Sequence, residues 1–319
     1  MSPPTRGPVL PPPLRTGDQV RLVAASSALA DATRLEAGME ILRRWGLAVE
    51  DSAPVVGRRW GYLAGRDSQR SADLLWRGPN GQPAPLWACV RGGWGSARLL
   101  PTDGASAPPW LDRGDPPQWL LGFSDVTSLL WARWARGWSG GVHGPLLTTL
   151  AGEPAWSQDR LRDLLFGRGL PPLEGTPWVG GRGEGPLLVA HLTVATHLLG
   201  TPHLPDLRGA ILVLEDVGEA PYRLERMLTH WRLCGALQQV AGIGLGRFSH
   251  CVDPDRGGDD PASFFTAEQV LLERTADLGI PVVADLPVGH DPGNAALPVG
   301  VWARLDGDGG RLDVEPSWG

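Results

Sequence analysis

The sequence contains no lysine, so all 29 of its basic residues are arginine. Without lysine there is no P-loop, whose phosphate cradle needs one. Cysteine is scarce. Cys89, Cys234 and Cys251 are odd in number and far apart, with no CxxC or zinc-finger spacing. They form no disulfide framework and predict a reducing compartment. No stretch approaches the ~18 apolar residues of a membrane span, and the Pro-rich start lacks the apolar core of a secretory signal. The expected location is therefore cytoplasmic. Positive charge is also short, since 29 arginines against 35 acidic residues leave a net charge of −6. A nucleic-acid binder normally carries a basic face, so none is expected as a partner. Asparagine occurs twice, while Trp (15) outnumbers Phe (5) and Tyr (2). This skew reads as GC-rich coding rather than as function.

What is present is a globular composition, 42% hydrophobic and 20% charged over 319 residues. That length holds two ordinary domains or one large one. Residues 1–15 read as a flexible, Pro-rich tail. Apolar runs and helical spacing then alternate. A strand over 19–25 is followed by a helix over 32–45, with Leu35, Met39 and Leu42 at 3–4 spacing. A short strand at 47–49 and a helix at 67–76 come next. The strand at 85–90 runs into the glycine-rich turn 91–96, and the strand at 119–123 runs into a helix at 126–136. This alternation predicts an α/β fold with a mostly parallel sheet. Residues 166–186 read as a linker or lid between an N-terminal domain (16–165) and a C-terminal α/β domain (187–319). The second half carries a strand then helix over 187–199, strands at 210–214, 240–245, 281–284 and 299–305, and helices at 221–234 and 266–276.

Several residues could carry chemistry. Ser124 stands where an apolar strand meets a helix start, and backbone N–H groups there can stabilise an oxyanion. The turn resembles a nucleophile elbow, although Val126 replaces the last glycine of G-x-S-x-G. A serine and aspartate at a helix start serve equally as caps. The turn at Gly92-Gly93-Trp94-Gly95 fails the dinucleotide pattern, because Arg98 stands at the sixth position from Gly93. It suits an oxyanion, a carboxylate or a purely steric turn. Glu215 ends an apolar strand, and strand-end carboxylates also serve as caps or loop acceptors. His290 lies in a turn-rich loop after a strand, where a histidine can simply be exposed. The order Ser, Glu, His nevertheless matches that of α/β-hydrolase triads, and open α/β sheets place their sites at such strand ends. His191, His197 and His203 recur every six residues, which puts helical partners on different faces. With no HExxH-like spacing, no metal is expected. Trp131, Trp134 and Trp138 fall at core spacing on a helix.

Together these motifs resemble the LD-carboxypeptidase family of serine peptidases, which includes murein tetrapeptide carboxypeptidases and microcin C immunity peptidases. The resemblance runs from about Gly17 to Asp306. It rests on residues 90–100 (VRGGWGSARLL), 121–127 (LGFSDVT), His143-Gly144-Pro145, Leu214-Glu215-Asp216, Pro221-Tyr222-Arg223, 242–248 (GIGLGRF), Gly289-His290 and 297–300 (LPVG). It implies Ser124 as nucleophile, His290 as general base and acid, and Glu215 as the group orienting that histidine. Backbone N–H groups of Gly93 and Asp125 would form the oxyanion hole. It further implies a site assembled between the two domains, no cofactor, a homodimer, and release of D-Ala from muropeptide tetrapeptides during cell-wall recycling. Residues 189–192 (VAHL) replace the family's usual Gly-Gly-Asn-Leu, which bears on substrate preference. The alternatives are a microcin-immunity-type peptidase cleaving aminoacyl-nucleotide amides, with Trp156 or Trp178 stacking the base, and a non-catalytic binding protein on the same fold.

Overall fold

The structure, a computed structural model, describes residues 10–78, 80–102, 107–111, 116–253 and 264–318. Its first sheet is built from the apolar runs read above. These are β1 (Gln19–Val23), β2 (Ala48–Val49), β3 (Leu86–Cys89), β4 (Trp119–Gly122) and β5 (Gly141–His143). All pair in parallel, and β3 and β4 are buried at every position, as a sheet covered on both faces requires. Between these strands run α1 (Ala32–Arg44), α2 (Asp67–Leu75) and α3 (Thr127–Ala135), with α4 (Leu147–Leu150) and α5 (Ala155–Leu165) following β5. The α1 start is fixed by Asp31, whose side chain accepts from the Thr33 N–H at 2.8 Å. Its Leu35, Met39 and Leu42 are fully buried, as their spacing predicts.

The second sheet holds β6 (Leu173–Glu174), β7 (Thr176–Val179), β8 (Arg182–His191), β9 (Ile211–Val217), β10 (Gly242–Ser249) and β11 (Val282–Ala284). β8 to β11 form its parallel centre, and β7 adds antiparallel to β11. Three helices intervene, α6 (Leu192–Leu198), α7 (Pro221–Leu233) and α8 (Ala267–Thr275). Near the C-terminus come β12 (Leu297–Pro298), β13 (Trp302–Asp306) and β14 (Arg311–Glu315). β13 and β14 extend the second sheet, whereas β12 crosses back to pair with β5 of the first.

Two expectations are corrected here. The linker or lid at 166–186 is woven into the second sheet as β6, β7 and the first half of β8. Its Gly and Pro residues fall within these strands as well as between them, Pro177 in β7 and Gly183, Gly185 and Pro186 in β8, and β13 pairs with β8 at Arg182–Pro186. Of the tail at 1–15, residues 10–15 are held in place, and the rest lies outside the described residues. Leu10 and Leu14 are buried, and their amides donate to the Ser317 and Leu165 carbonyls at 2.8 Å. Pro12 O accepts from Trp119 Nε1 at 3.1 Å. Proline fixes an extended backbone at low entropic cost, so a Pro-rich segment with two leucines docks as readily as it floats.

Both buried clusters draw on both sheets. Trp131 of α3 packs edge-on to Trp231 of α7 and donates to Val189 O of β8 at 2.9 Å. Trp131 is buried in the core as read, whereas Trp134 is half-buried and the buried Trp138 lies three residues past the end of α3, off the helix its spacing assumed. No helix among the described residues is long and apolar enough to cross a membrane.

Candidate active site

β4 ends in Phe123, and the next residue, Ser124, takes the left-handed conformation at φ +61°. A non-glycine residue there is uncommon and strained, by an amount of order 1 kcal/mol, and the surrounding contacts must hold it. Three of them involve Asp125, which is fully buried. Its Oδ2 accepts from Ser26 Oγ at 2.6 Å and from the Ser96 N–H at 2.8 Å, and its carbonyl accepts from Ser96 Oγ at 2.6 Å. The aspartate thereby ties the serine turn to the segment after β1 and to the glycine-rich turn after β3. Gly92 backs directly onto the serine, where a Cβ would sit 3.0 Å from Ser124 Cβ and 3.1 Å from its Oγ. Gly93, at φ +105°, leaves no room for a side chain against Ser27. Steric need therefore explains both glycines, whatever their amides do.

Glu215 lies near the end of β9, opposite His191 in the β8–β9 register, and is fully buried. Its Oε2 receives a hydrogen bond from His290 Nδ1 at 2.8 Å. Burial alone would raise this carboxyl, but the nearby His191, His290 and His143 together hold it below the ordinary glutamate value. The His290 ring packs against Phe123, 4.7 Å between centroids, and lies 5.4 Å from His191. The loop carrying His290 is clamped on two sides. From β10, Arg247 donates to the Asp291 and Pro292 carbonyls at 3.2 and 2.8 Å, and Ser249 Oγ donates to Asp291 at 2.7 Å. From the other side, Glu153 Oε2 accepts from the Gly293 and Asn294 amides at 2.6 and 2.9 Å, while Ser157 Oγ donates to Asn294 O. Burial pushes Glu153 up against the lowering effect of those bonds.

Glu153 was invisible to sequence reasoning, since it acts only by holding a loop 140 residues away. Glu153→Ala would strand two amides and loosen His290, and small misplacements of a catalytic group cost about 10²-fold. The expected result is a fall of roughly 10–100-fold in kcat with KM little changed. Glu153→Gln should recover most of it, because the amide oxygen still accepts. A KM-only effect, or no rescue, would refute the positioning role.

His143, at the end of β5, is buried with neither ring nitrogen hydrogen-bonded among the described residues. Burial, aided by the neighbouring His290 and His191 and opposed by Glu215, drives its pKa down to about 4. The unfolded chain takes up this proton at ordinary histidine pH, so stability should fall as pH drops from about 6.5 to about 4. The span is worth at most roughly 3 kcal/mol. Urea unfolding at about pH 7 and about pH 5 should show a smaller pH loss in His143→Phe than in wild type. Equal losses would mean His143 does not titrate on unfolding.

Ser124, His290 and Gly93 open together on a cavity of about 800 Å³. Arg34, Arg91, Asp31, Glu219, His191, His197 and Trp94 also line it. The five residues singled out from the sequence thus converge, with Asp125 beneath the serine. His203 does not line the cavity; its Nε2 meets Pro101 O at 2.9 Å. Trp156 and Trp178 do not line it either, and Trp178 borders a separate 380 Å³ cavity. His191, Glu215 and His290 also bring one potential metal-ligand atom each within 4.8 Å of one another. No local spacing could have revealed that cluster, because its members come from the ends of β8 and β9 and from the loop after β11.

A mixed α/β chain with a serine on a strained strand-to-helix turn, lining the same cavity as a histidine that is paired with a buried carboxylate, fits the class of serine-type hydrolases. The chain belongs to the LD-carboxypeptidase family. The family's N-terminal domain matches residues 20–144 and its C-terminal domain residues 184–305. It is a serine-type carboxypeptidase. A candidate carboxypeptidase of Synechocystis sp. is 48% identical over 95% of this chain and 96% of its own. The murein tetrapeptide carboxypeptidase of Pseudomonas aeruginosa is 34% identical, covering 91% and 94%. Among solved structures, a muramoyltetrapeptide carboxypeptidase from Oxalobacter formigenes superposes with a TM-score of 0.78 at 26% identity, covering 94% of this chain and all of that one.

Proposed function

We propose that the protein hydrolyses the amide between an L-centre, diaminopimelate or lysine, and a terminal D-Ala in muropeptide tetrapeptides, as a step in cytoplasmic cell-wall recycling. The observation that carries this reading is the 2.8 Å His290–Glu215 pair opening on the same cavity as the strained Ser124. In the proposed sequence His290 takes the Ser124 proton as the oxygen attacks the carbonyl carbon. Glu215 fixes the tautomer and offsets the charge on the imidazolium. The amides of Gly93 and Asp125 receive the oxyanion. His290 then returns the proton to the departing amine, and water repeats the cycle on the acyl-enzyme.

The cavity's charges suit such a substrate. Arg34 and Arg91, the latter also donating to Ala28 O, bring positive charge for peptide carboxylates, and Asp31, the α1 cap, and Glu219, paired with Arg223, bring negative charge for the ammonium of a diaminopimelate or lysine side chain. The aminoacyl-nucleotide alternative gains nothing from Trp156 or Trp178, since neither reaches the cavity. The test is D-Ala release from free L-Ala-γ-D-Glu-meso-diaminopimelate-D-Ala. Release by folded wild-type protein supports the reading, and none at all overturns it.

A further inference from the structure

The cluster of His191, Glu215 and His290 is more than a triad with a spectator. Two imidazoles and one carboxylate are a donor set that zinc accepts, with a fourth position left for solvent. The ligand atoms lie within 4.8 Å of one another, and zinc bonds of about 2.0–2.2 Å need them roughly 3.3 Å apart. Side-chain adjustments of about an ångström therefore suffice. Asp216, fully buried, lies 3.4 Å from His191 Nε2 and favours the proton there. His191 Nδ1 is then left as a lone-pair donor. It is buried without a hydrogen-bond partner among the described residues, and so is Glu215 Oε1. A carboxylate behind a ligating histidine is also how zinc sites fix ring orientation.

We propose that the site captures one zinc ion across His191, Glu215 and His290, and that capture switches hydrolysis off. Bound zinc takes the one lone pair of the neutral His290 imidazole and a Glu215 carboxylate oxygen, so the ring proton stays on the other nitrogen, and any second proton on these donors is released to solvent. His290 can then no longer take the Ser124 proton. The switching half rests on the proposed triad; the capture half does not.

Capture is read without turnover, in Ser124→Ala protein carrying Cys234→Ser to remove the exposed thiol. Zn²⁺ is titrated in competition with a chromophoric chelator. One tight equivalent per chain is expected, weakened at least ~100-fold by His191→Asn and likewise by His290→Gln. Far-UV circular dichroism verifies that each variant is folded. Unchanged affinity in both variants overturns the capture. In wild type, D-Ala release should fall over the same Zn²⁺ range and return with EDTA. Tight binding without loss of activity overturns the switch, while a protein inactive before zinc is added counts against the function reading alone.

Discussion

Ser124→Ala protein is expected to fold normally and to release D-Ala some 10⁴–10⁶-fold more slowly than wild type. The side chain removed is small, and the contacts that hold the turn run through Asp125, Ser26 and Ser96 rather than through the serine hydroxyl. Alanine also tolerates φ +61° no worse than serine, so the thermal midpoint should move by a few degrees at most. The chemistry has no substitute nucleophile at that place, and members of the proposed triad would act as a unit. Residual rate above water comes from substrate placement and the oxyanion donors. Binding of the tetrapeptide should therefore survive, with a Kd close to the wild-type KM if acylation is slow. A well-folded Ser124→Ala protein with more than a hundredth of wild-type kcat would remove the serine from the mechanism.

The placement of the serine was legible because every local cue agreed. An apolar strand at 119–123, a cap-type Ser-Asp and a periodic helix read one after another, and β4, the turn and α3 follow that order. Glu215 and His290 were legible as strand-end residues, but their 2.8 Å contact was not, since 75 residues separate them and only the β9–β10–β11 order brings them together. From the sequence Asp125 reads as a helix cap or as an amide donor. Its carboxylate proves to be the tie between three loops, a role with no sequence period. The Pro- and Gly-rich stretch at 166–186 reads as a linker because β6 and β7 are short edge strands with no alternation long enough to register, and because the first half of the central β8 is Gly- and Pro-rich. The return of β12 to the first sheet was equally hidden, since a two-residue strand is defined only by its partner, here His143 and Val142. Composition hid one functional feature. The departure at His191 registers in sequence as a lost asparagine, yet in space it adds a second imidazole beside the first.

Glu215→Gln is expected to lower kcat by about 10³–10⁴-fold while KM changes little. The substitution keeps the shape of a fully buried side chain, so no cavity opens. It removes the negative charge that His290 meets and allows the amide to present its NH₂ group to Nδ1, which selects the wrong tautomer for accepting a serine proton. Stability gives an independent readout of the same charge. The Glu215 carboxyl is held below its ordinary value, because the histidines around it outweigh its burial. Its favourable contribution is thus present above the unfolded glutamate pKa of about 4.3 and is lost as pH falls through the lower folded value. The gap in unfolding free energy between wild type and Glu215→Gln should accordingly narrow below about pH 4. A constant gap would mean that the carboxylate is not charged in the native state. The decisive comparison is a double-mutant cycle with His290→Ala. If Glu215 acts only through the imidazole, adding Glu215→Gln to His290→Ala should cost less than tenfold further, against three to four powers of ten alone. Full additivity would assign the carboxylate a role at the substrate itself and would leave His290 without its orienting partner.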